Sequence, residues 1–151
     1  MSYRENEHRE MITAKSAASE AIQRNRDTII GISHRIHAEP ELGHQEHRAS
    51  ALLAQELDRA GLEVRLGVCE LPTAFTATAG TGDLHVALCA EYDALPGIGH
   101  ACGHNMIAAA AAGAAIALTP LAGDLRITMT IIGTPAEEVL DRGPRSCCGA
   151  T

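Results

Sequence analysis

A short segment of the sequence, residues 91–105, combines two carboxylates, a thiol and two imidazoles between a β-like run and an alanine-rich run. Its cysteine and its second histidine, Cys102 and His104, are separated by a single glycine. Thiolate sulfur and imidazole nitrogen are ligands that Zn²⁺ and its neighbours in the first transition row select. This spacing therefore predicts a metal site.

An adjacent pair of glutamates, Glu137 and Glu138, follows the next predicted strand. Such a pair is often only a solvated turn, but at the carboxyl end of a strand the two carboxylates can divide the work of a hydrolase. One would bind the metal, and the other would stay free as the general base for an attacking water. Together with the Cys-x-His segment, the pair predicts a metallohydrolase.

Several residues in these segments have alternative interpretations. A lone cysteine is usually a small buried hydrophobe, which is our prediction for Cys89 in its apolar strand, whereas flanking histidines favour a metal ligand at Cys102. His104 could contact solvent at a helix N-terminus, but its spacing from the cysteine favours metal. Asp93 could cap a turn, or it could orient a liganding imidazole.

Other roles in the same segment stay open. His100 fits a metal ligand, a contact to a substrate oxyanion or a loop-stabilising residue, and Glu91 fits a plain strand-end carboxylate. The pattern Gly97-x-Gly99-x-x-x-Gly103 before a helix also resembles a variant dinucleotide-binding fingerprint. Those glycines should follow the strand almost at once, whereas six residues intervene here. A dinucleotide-binding unit is therefore the weaker alternative.

The composition of the chain excludes several classes of partner. The 151 residues are 46% hydrophobic and carry a net charge of −7, which disfavours nucleic acid and anionic membrane. Two Tyr, one Phe and no Trp provide no platform for stacking bases. Five cysteines do not form a disulfide framework, and the first thirty residues lack a secretory apolar core. We therefore expect a cytoplasmic protein with reduced thiols.

Hydrophobic periodicity predicts an α/β fold in which helices flank a mixed sheet. After a polar segment at residues 1–15, we predict helices at 16–37, 46–60 and 105–118, and strands at 62–68, 74–79, 84–90 and 125–132. The second and third strands should pair as a hairpin through the glycine-rich turn at residues 80–83. The third strand should be buried on both faces. The last strand should lie parallel to it in a βαβ unit, so that both acidic segments leave the same end of the sheet.

Four segments of the chain carry a resemblance to a known family. They are Ala-Glu-Tyr-Asp-Ala-Leu-Pro at residues 90–96, His-Ala-Cys-Gly-His-Asn at 100–105, Pro-Ala-Glu-Glu at 135–138, and His-Ala-Glu-Pro-Glu-Leu at 37–42 with the nearby Glu46. Taken in their order along the chain, they resemble the amidohydrolase branch of the M20 metallopeptidase family, which cleaves N-acyl amino acids and related conjugates. Asn105, where much of the branch has Asp, is more similar to the aminobenzoyl-glutamate or dipeptide-hydrolysing subgroup.

The resemblance implies a site for two divalent metal ions, Mn²⁺ or Zn²⁺, and a small amide substrate. It implies that Cys102, His104 and Glu138 are metal ligands, that Glu137 is the general base, and that Asp93 is the active-site aspartate. It also implies a homodimer for the complete family enzyme.

The resemblance ends at Glu138, and residues 139–151 match nothing that the family has there. Residues 16–138 are therefore expected to form part of a Zn-peptidase-like catalytic domain, and the chain resembles an amino-terminal fragment. Because further histidine ligands of the family lie downstream, we expect little or no amidase activity from this chain alone. The alternative is a non-catalytic remnant or a metal-binding module.

Overall fold

The computed structural model of the chain describes residues 3–139, with side chains from residue 11 onward. The helices are α1 (Tyr3–Arg24), α2 (Arg26–Ala38), α3 (His47–Arg59) and α4 (His104–Leu118). The strands are β1 (Glu63–Leu66), β2 (Phe75–Ala79), β3 (Leu84–Glu91) and β4 (Ile127–Thr134). This is the predicted α/β architecture, a mixed four-stranded sheet with flanking helices. The predicted tail, apart from Val139, lies outside the described residues.

The predicted first helix is two helices, because the helical conformation is interrupted at Asn25. The side-chain amide of Asn25 donates a hydrogen bond to the carbonyl oxygen of Ala21 at 2.9 Å, the same oxygen that its backbone N–H reaches at 3.1 Å. Side chains of this kind compete with the backbone for helical hydrogen bonds. As predicted, α2 ends just before Pro40, and Gly61 follows α3 with φ +91°.

The sheet has the order β1-β2-β4-β3, so the predicted hairpin between β2 and β3 is wrong. β4 lies between them, antiparallel to β2 and parallel to β3. The glycine-rich turn instead lies against the segment that leads into β4: a Cβ built on Gly82 would be 1.8 Å from the carbonyl oxygen of Arg126. The hydroxyl of Thr128 also donates to the carbonyl oxygen of Gly82 at 2.7 Å. The parallel β3-α4-β4 unit is confirmed.

β3 is one of the two edge strands of the described sheet, and this position explains a second correction. We predicted that both of its faces would be buried, yet its first four residues are exposed. Cys89 is likewise exposed and free rather than part of the core. An apolar run alone does not distinguish a central strand from an edge strand, because position in the sheet depends on pairing with distant residues.

The core forms between α4, the central strands and the neighbouring helices. Alternate residues of β4 are buried, and the buried side chains of α4 are mostly alanines, which allow close packing. Residues 104–121 are long and apolar enough to cross a membrane by length and composition, and half of that window is buried in the fold. In the described structure this stretch contacts the other helices and the sheet, as the core helix of a globular domain does.

Candidate metal centre

The ends of two parallel strands bring the predicted site residues together. Glu91, the last residue of β3, is paired in register with Thr134, the last residue of β4. The segments that follow them therefore leave the same edge of the sheet, where α/β folds place their ligands. The segment that follows β3 ends at His104, the first residue of α4.

The imidazole of His104 is buried and held at one nitrogen. Its Nδ1 lies 2.8 Å from Oδ1 of Asp93 and 3.1 Å from the carbonyl oxygen of the same residue. A proton on Nδ1 satisfies both acceptors and leaves the lone pair of Nε2 free to bind a cation.

Three carboxylates face the Nε2 atom of His104. Carboxylate oxygens of Glu91, Glu137 and Glu138 lie 3.6, 3.5 and 3.7 Å from it. These distances are too long for strong hydrogen bonds. Among residues 11–139, no lysine or arginine forms an ion pair with these carboxylates. Ligand atoms of His104, Glu137 and Glu138 all lie within 4.8 Å of one another.

Asp93 connects the two segments. While Oδ1 faces His104, Oδ2 accepts a hydrogen bond from the backbone N–H of Glu138 at 2.9 Å. The Asp93 side chain is fully buried. One carboxylate thus sets both the orientation of the imidazole and the position of an acidic residue opposite it.

Cys102 lies beside this group rather than within it. Its thiol is exposed and free. The nearby Glu138 carboxylate raises the thiol pKa most, and desolvation and the negative charges of Glu137 and Asp93 raise it further. The structure thus places Cys102 next to Glu138, at the rim of the candidate centre.

His100, whose role the sequence left open, forms no ion pair with a carboxylate among residues 11–139. Neither of its ring nitrogens has a hydrogen-bond partner among the described residues. Burial lowers its pKa; the carbonyl of Ile36 opposes that shift without reaching hydrogen-bond geometry. Its ring centroid is 6.3 Å from that of His37.

Glu91 is the site residue that sequence reasoning undervalued. Alternate residues of an extended segment point to the same side, so the spacing of Glu91 and Asp93 was a usable signal. The glycines of the alternative fingerprint have a simpler role. Gly97, Gly99 and Gly103 all have positive φ, and turns need glycine there.

Comparisons with known proteins agree on one group of enzymes. No protein-family model matches the chain. Over 85% of its own length, this chain is 38% identical to the Xaa-Arg dipeptidase of Mus musculus. Over 66% of its own length, it is 35% identical to a p-aminobenzoyl-glutamate hydrolase subunit of Escherichia coli. These alignments cover 33% and 24% of the two relatives.

Solved structures give the same result. The Bacillus subtilis YxeP protein, described as a dinuclear metal-binding peptidase of the M20 family, superposes on 78% of this chain with a TM-score of 0.70 and 29% identity. The match covers 37% of YxeP. The homologues and structural neighbours of this chain are therefore members of the M20 peptidase family, and the chain spans about a third of their length.

Proposed function

We propose that this chain supplies the first part of a metal-dependent amidohydrolase that acts on N-acyl amino acids or related small conjugates, including dipeptides. The names of its relatives support this reaction class, since they are a dipeptidase and a subunit of an aminobenzoyl-glutamate hydrolase. The observation that carries the proposal is the convergence of three carboxylates on the Nε2 face of His104, where no lysine or arginine among residues 11–139 neutralises them.

The donor set fits a first-row divalent cation. Imidazole nitrogen with carboxylate oxygen suits Mn²⁺ or Zn²⁺, and a thiol at the rim favours Zn²⁺ further. His104, Glu138 and Cys102 would hold metal in this proposal, and Glu91 lies close enough to contribute a fourth ligand. A bound divalent ion would polarise the carbonyl of the substrate amide as a Lewis acid.

Two other residues would serve the reaction without being the main ligands. Glu137 is half exposed, so its carboxylate can meet an incoming water and take its proton as general base. Asp93 would keep the proton of His104 on Nδ1 and hold Glu138 in place. The division of labour between the adjacent glutamates follows from their different exposure and backbone restraint.

Metal titration of the purified chain tests the site. We expect Zn²⁺ or Mn²⁺ to bind, and Glu138→Gln to weaken binding by at least about 10-fold, the lower end of losses seen when the surroundings of a metal are altered. Glu63→Gln is the control, because that exposed carboxylate lies on β1 and pairs with Arg65. Calorimetry that showed no binding, or equal affinity in all three proteins, would contradict the proposal.

Glu137→Gln tests the reaction. The variant should keep its metal but lose any metal-dependent hydrolysis of Xaa-Arg dipeptides or p-aminobenzoyl-glutamate, because its amide cannot accept the proton of water. The chain alone should be much slower than the mouse relative. Hydrolysis that persists in the metal-loaded variant would exclude Glu137 as the base.

A further inference from the structure

Glu46, just before α3, is a fully buried carboxylate that the proposed reaction does not use. Its relative exposure is 0%, and glutamate is rarely so buried without a partner. Oε1 accepts a hydrogen bond from the backbone N–H of Ala136 at 2.8 Å, and Oε2 accepts one from the hydroxyl of Thr73 at 2.9 Å. Both of these partners are neutral donors, so the task of Glu46 is not simple charge neutralisation.

The bond to Ala136 acts on the backbone that precedes the acidic pair. Ala136 has φ +60°, a left-handed conformation that is unfavourable for residues with a Cβ. Such a conformation persists when its surroundings hold it. Since Glu137 follows at once, the direction in which Glu137 and Glu138 leave the strand depends on this held peptide.

The rest of the turn at residues 41–46 packs against both segments of the centre. The backbone N–H of Ala94 donates to the carbonyl oxygen of Glu41 at 2.8 Å, next to Asp93. A Cβ on Gly43 would lie 2.4 Å from a methyl of Val139 and 2.9 Å from the Cβ of Ala136. No larger residue fits there without displacing the acidic segment.

Thr73 extends the network to the segment that follows β3. Its carbonyl oxygen accepts a hydrogen bond of 2.6 Å from the hydroxyl of Tyr92, the residue before Asp93. Buried, fully bonded networks of this kind fix one arrangement of the segments that they join. Glu46 therefore connects the segment that carries Asp93 with the segment that carries Glu138.

We propose that Glu46 is a positioning residue: its carboxylate holds Ala136 in the left-handed conformation and so aims Glu137 and Glu138 at the Nε2 face of His104. The metal-binding consequence rests on the function proposed above, whereas the structural consequence does not. The two can therefore be measured separately.

Hydrogen exchange at single backbone amides, followed by NMR on the metal-free chain, tests the structural part. In the unmodified chain the amides of Ala136 and Glu138 should exchange slowly, because carboxylates accept from both. Glu46→Leu should accelerate exchange at both positions, and Glu46→Gln, which keeps one acceptor oxygen, should restore the protection. Fast exchange at Ala136 in the unmodified chain, or unchanged exchange in Glu46→Leu, would overturn the proposal.

The same turn provides a matched control in Glu41. Its carboxylate accepts from the backbone N–H groups of Arg48 and Ala49, at 2.9 Å from one oxygen, and so caps α3 without reaching the centre. Glu41→Ala should lower stability but leave exchange at Ala136 slow. An equal effect at Ala136 from both variants would reduce the role of Glu46 to general stability and overturn the proposal.

Zinc titration of the same proteins tests the functional part. Glu46→Leu should weaken binding by at least about 10-fold, while Glu41→Ala and Glu46→Gln stay within about twofold of the unmodified chain. If no protein binds zinc, the proposed function fails, and the exchange data still decide the role of Glu46. If Glu46→Leu does not fold, as judged by circular dichroism, Thr73→Val removes one bond to Glu46, and unchanged exchange at Ala136 in that variant would overturn the proposal.

Discussion

Single side chains set the geometry of the candidate centre, and Asp93 shows how. Its two carboxylate oxygens accept hydrogen bonds from two segments that are 34 residues apart in sequence, through His104 and Glu138. Because Asp93 is buried, water cannot replace either bond without opening the structure. Any change to Asp93 should therefore affect both the imidazole and the acidic segment.

We expect Asp93→Asn to weaken zinc binding by about 10- to 100-fold. The amide keeps one acceptor oxygen but turns an NH₂ donor toward one of the two N–H donors. That mismatch should also lower the free energy of unfolding by about 1–3 kcal/mol. Calorimetry and urea denaturation measure the two effects. Unchanged zinc affinity would show that Asp93 does not orient His104.

Tyr92 should make stability depend on alkaline pH. Burial, and to a smaller extent the charges of Glu46 and Asp93, raise its pKa far above the usual value. The unfolded chain releases this proton near pH 10, while the folded chain keeps it. The contribution of Tyr92 to the free energy of unfolding is therefore fully present below about pH 10. Above that pH it is lost by about 1.4 kcal/mol per pH unit.

Comparison with Tyr92→Phe isolates this effect. The variant is less stable at neutral pH because it lacks the hydrogen bond to Thr73. Its free energy of unfolding should nevertheless decline less steeply than that of the unmodified chain above pH 10. If urea denaturation between pH 8 and pH 11 gave the same decline in the free energy of unfolding for Tyr92→Phe and for the unmodified chain, that result would contradict the raised pKa.

The helices and strands determine how closely the segments of the centre approach one another. β4 is paired on both sides and carries the acidic pair beyond its last residue, so its packing against β2 affects the site directly. At Gly133 of β4, a Cβ would lie 2.2 Å from the ring of Phe75. Only glycine allows the two strands to pack at that point.

Gly133→Ala should destabilise the fold by about 1–3 kcal/mol, the usual cost of overpacking a core. Gly123→Ala is the matched control, because nothing lies within 4 Å of a Cβ built there. The control should stay within about 0.5 kcal/mol of the unmodified chain. Equal unfolding midpoints for the two variants would show that the strands can separate to accommodate a methyl group.

Local features of the sequence predicted the helices better than the sheet. Pro40 and Gly61 mark helix ends through backbone restrictions that act on neighbouring residues, so α2 and α3 were predicted within a few residues at those ends. The predicted hairpin was wrong because the turn at residues 80–83 carries no information about β4, which begins more than forty residues later and pairs between β2 and β3. Strand order depends on pairing between distant residues, which local patterns do not encode.

The candidate centre was predictable for the same reason that the βαβ unit was. Parallel neighbouring strands place their carboxyl ends together, so His104, Glu137 and Glu138 were expected to meet, and their ligand atoms form a group. Cys102 was expected to join that group but lies beside it, because its position depends on the conformation of a glycine-containing loop that spacing alone does not determine. Glu91, whose role the sequence left open, faces the imidazole from the end of β3.

The molecule as a whole presents an uncovered sheet edge. β3 pairs only with β4 in the described structure, and Leu84 and Val86 on this strand are exposed. Edge strands with apolar side chains are templates for association with other chains. A net charge of −7 opposes that association at low salt more than at high salt.

We expect the purified chain to associate as its concentration and the salt concentration rise. Leu84→Lys should reduce this association, because charged side chains, lysine especially, protect natural edge strands. Ile98→Lys is the control, since Ile98 is 65% exposed and Leu84 63%, but Ile98 lies in a loop. Sedimentation velocity measures the effect, and equal behaviour of the two variants would exclude the β3 edge as the contact.

The position of β4 between β2 and β3 also has a consequence during synthesis on the ribosome. Until residues 127–134 leave the exit tunnel, β3 has no neighbour with which to pair, because its partner strand is translated last among the four. A nascent chain that stops short of β4 can form helices and join β1 to β2, but it leaves β3 open to other molecules. Pairing of the four described strands and arrival of the acidic pair are thus almost simultaneous, since Glu137 is only three residues beyond the end of β4.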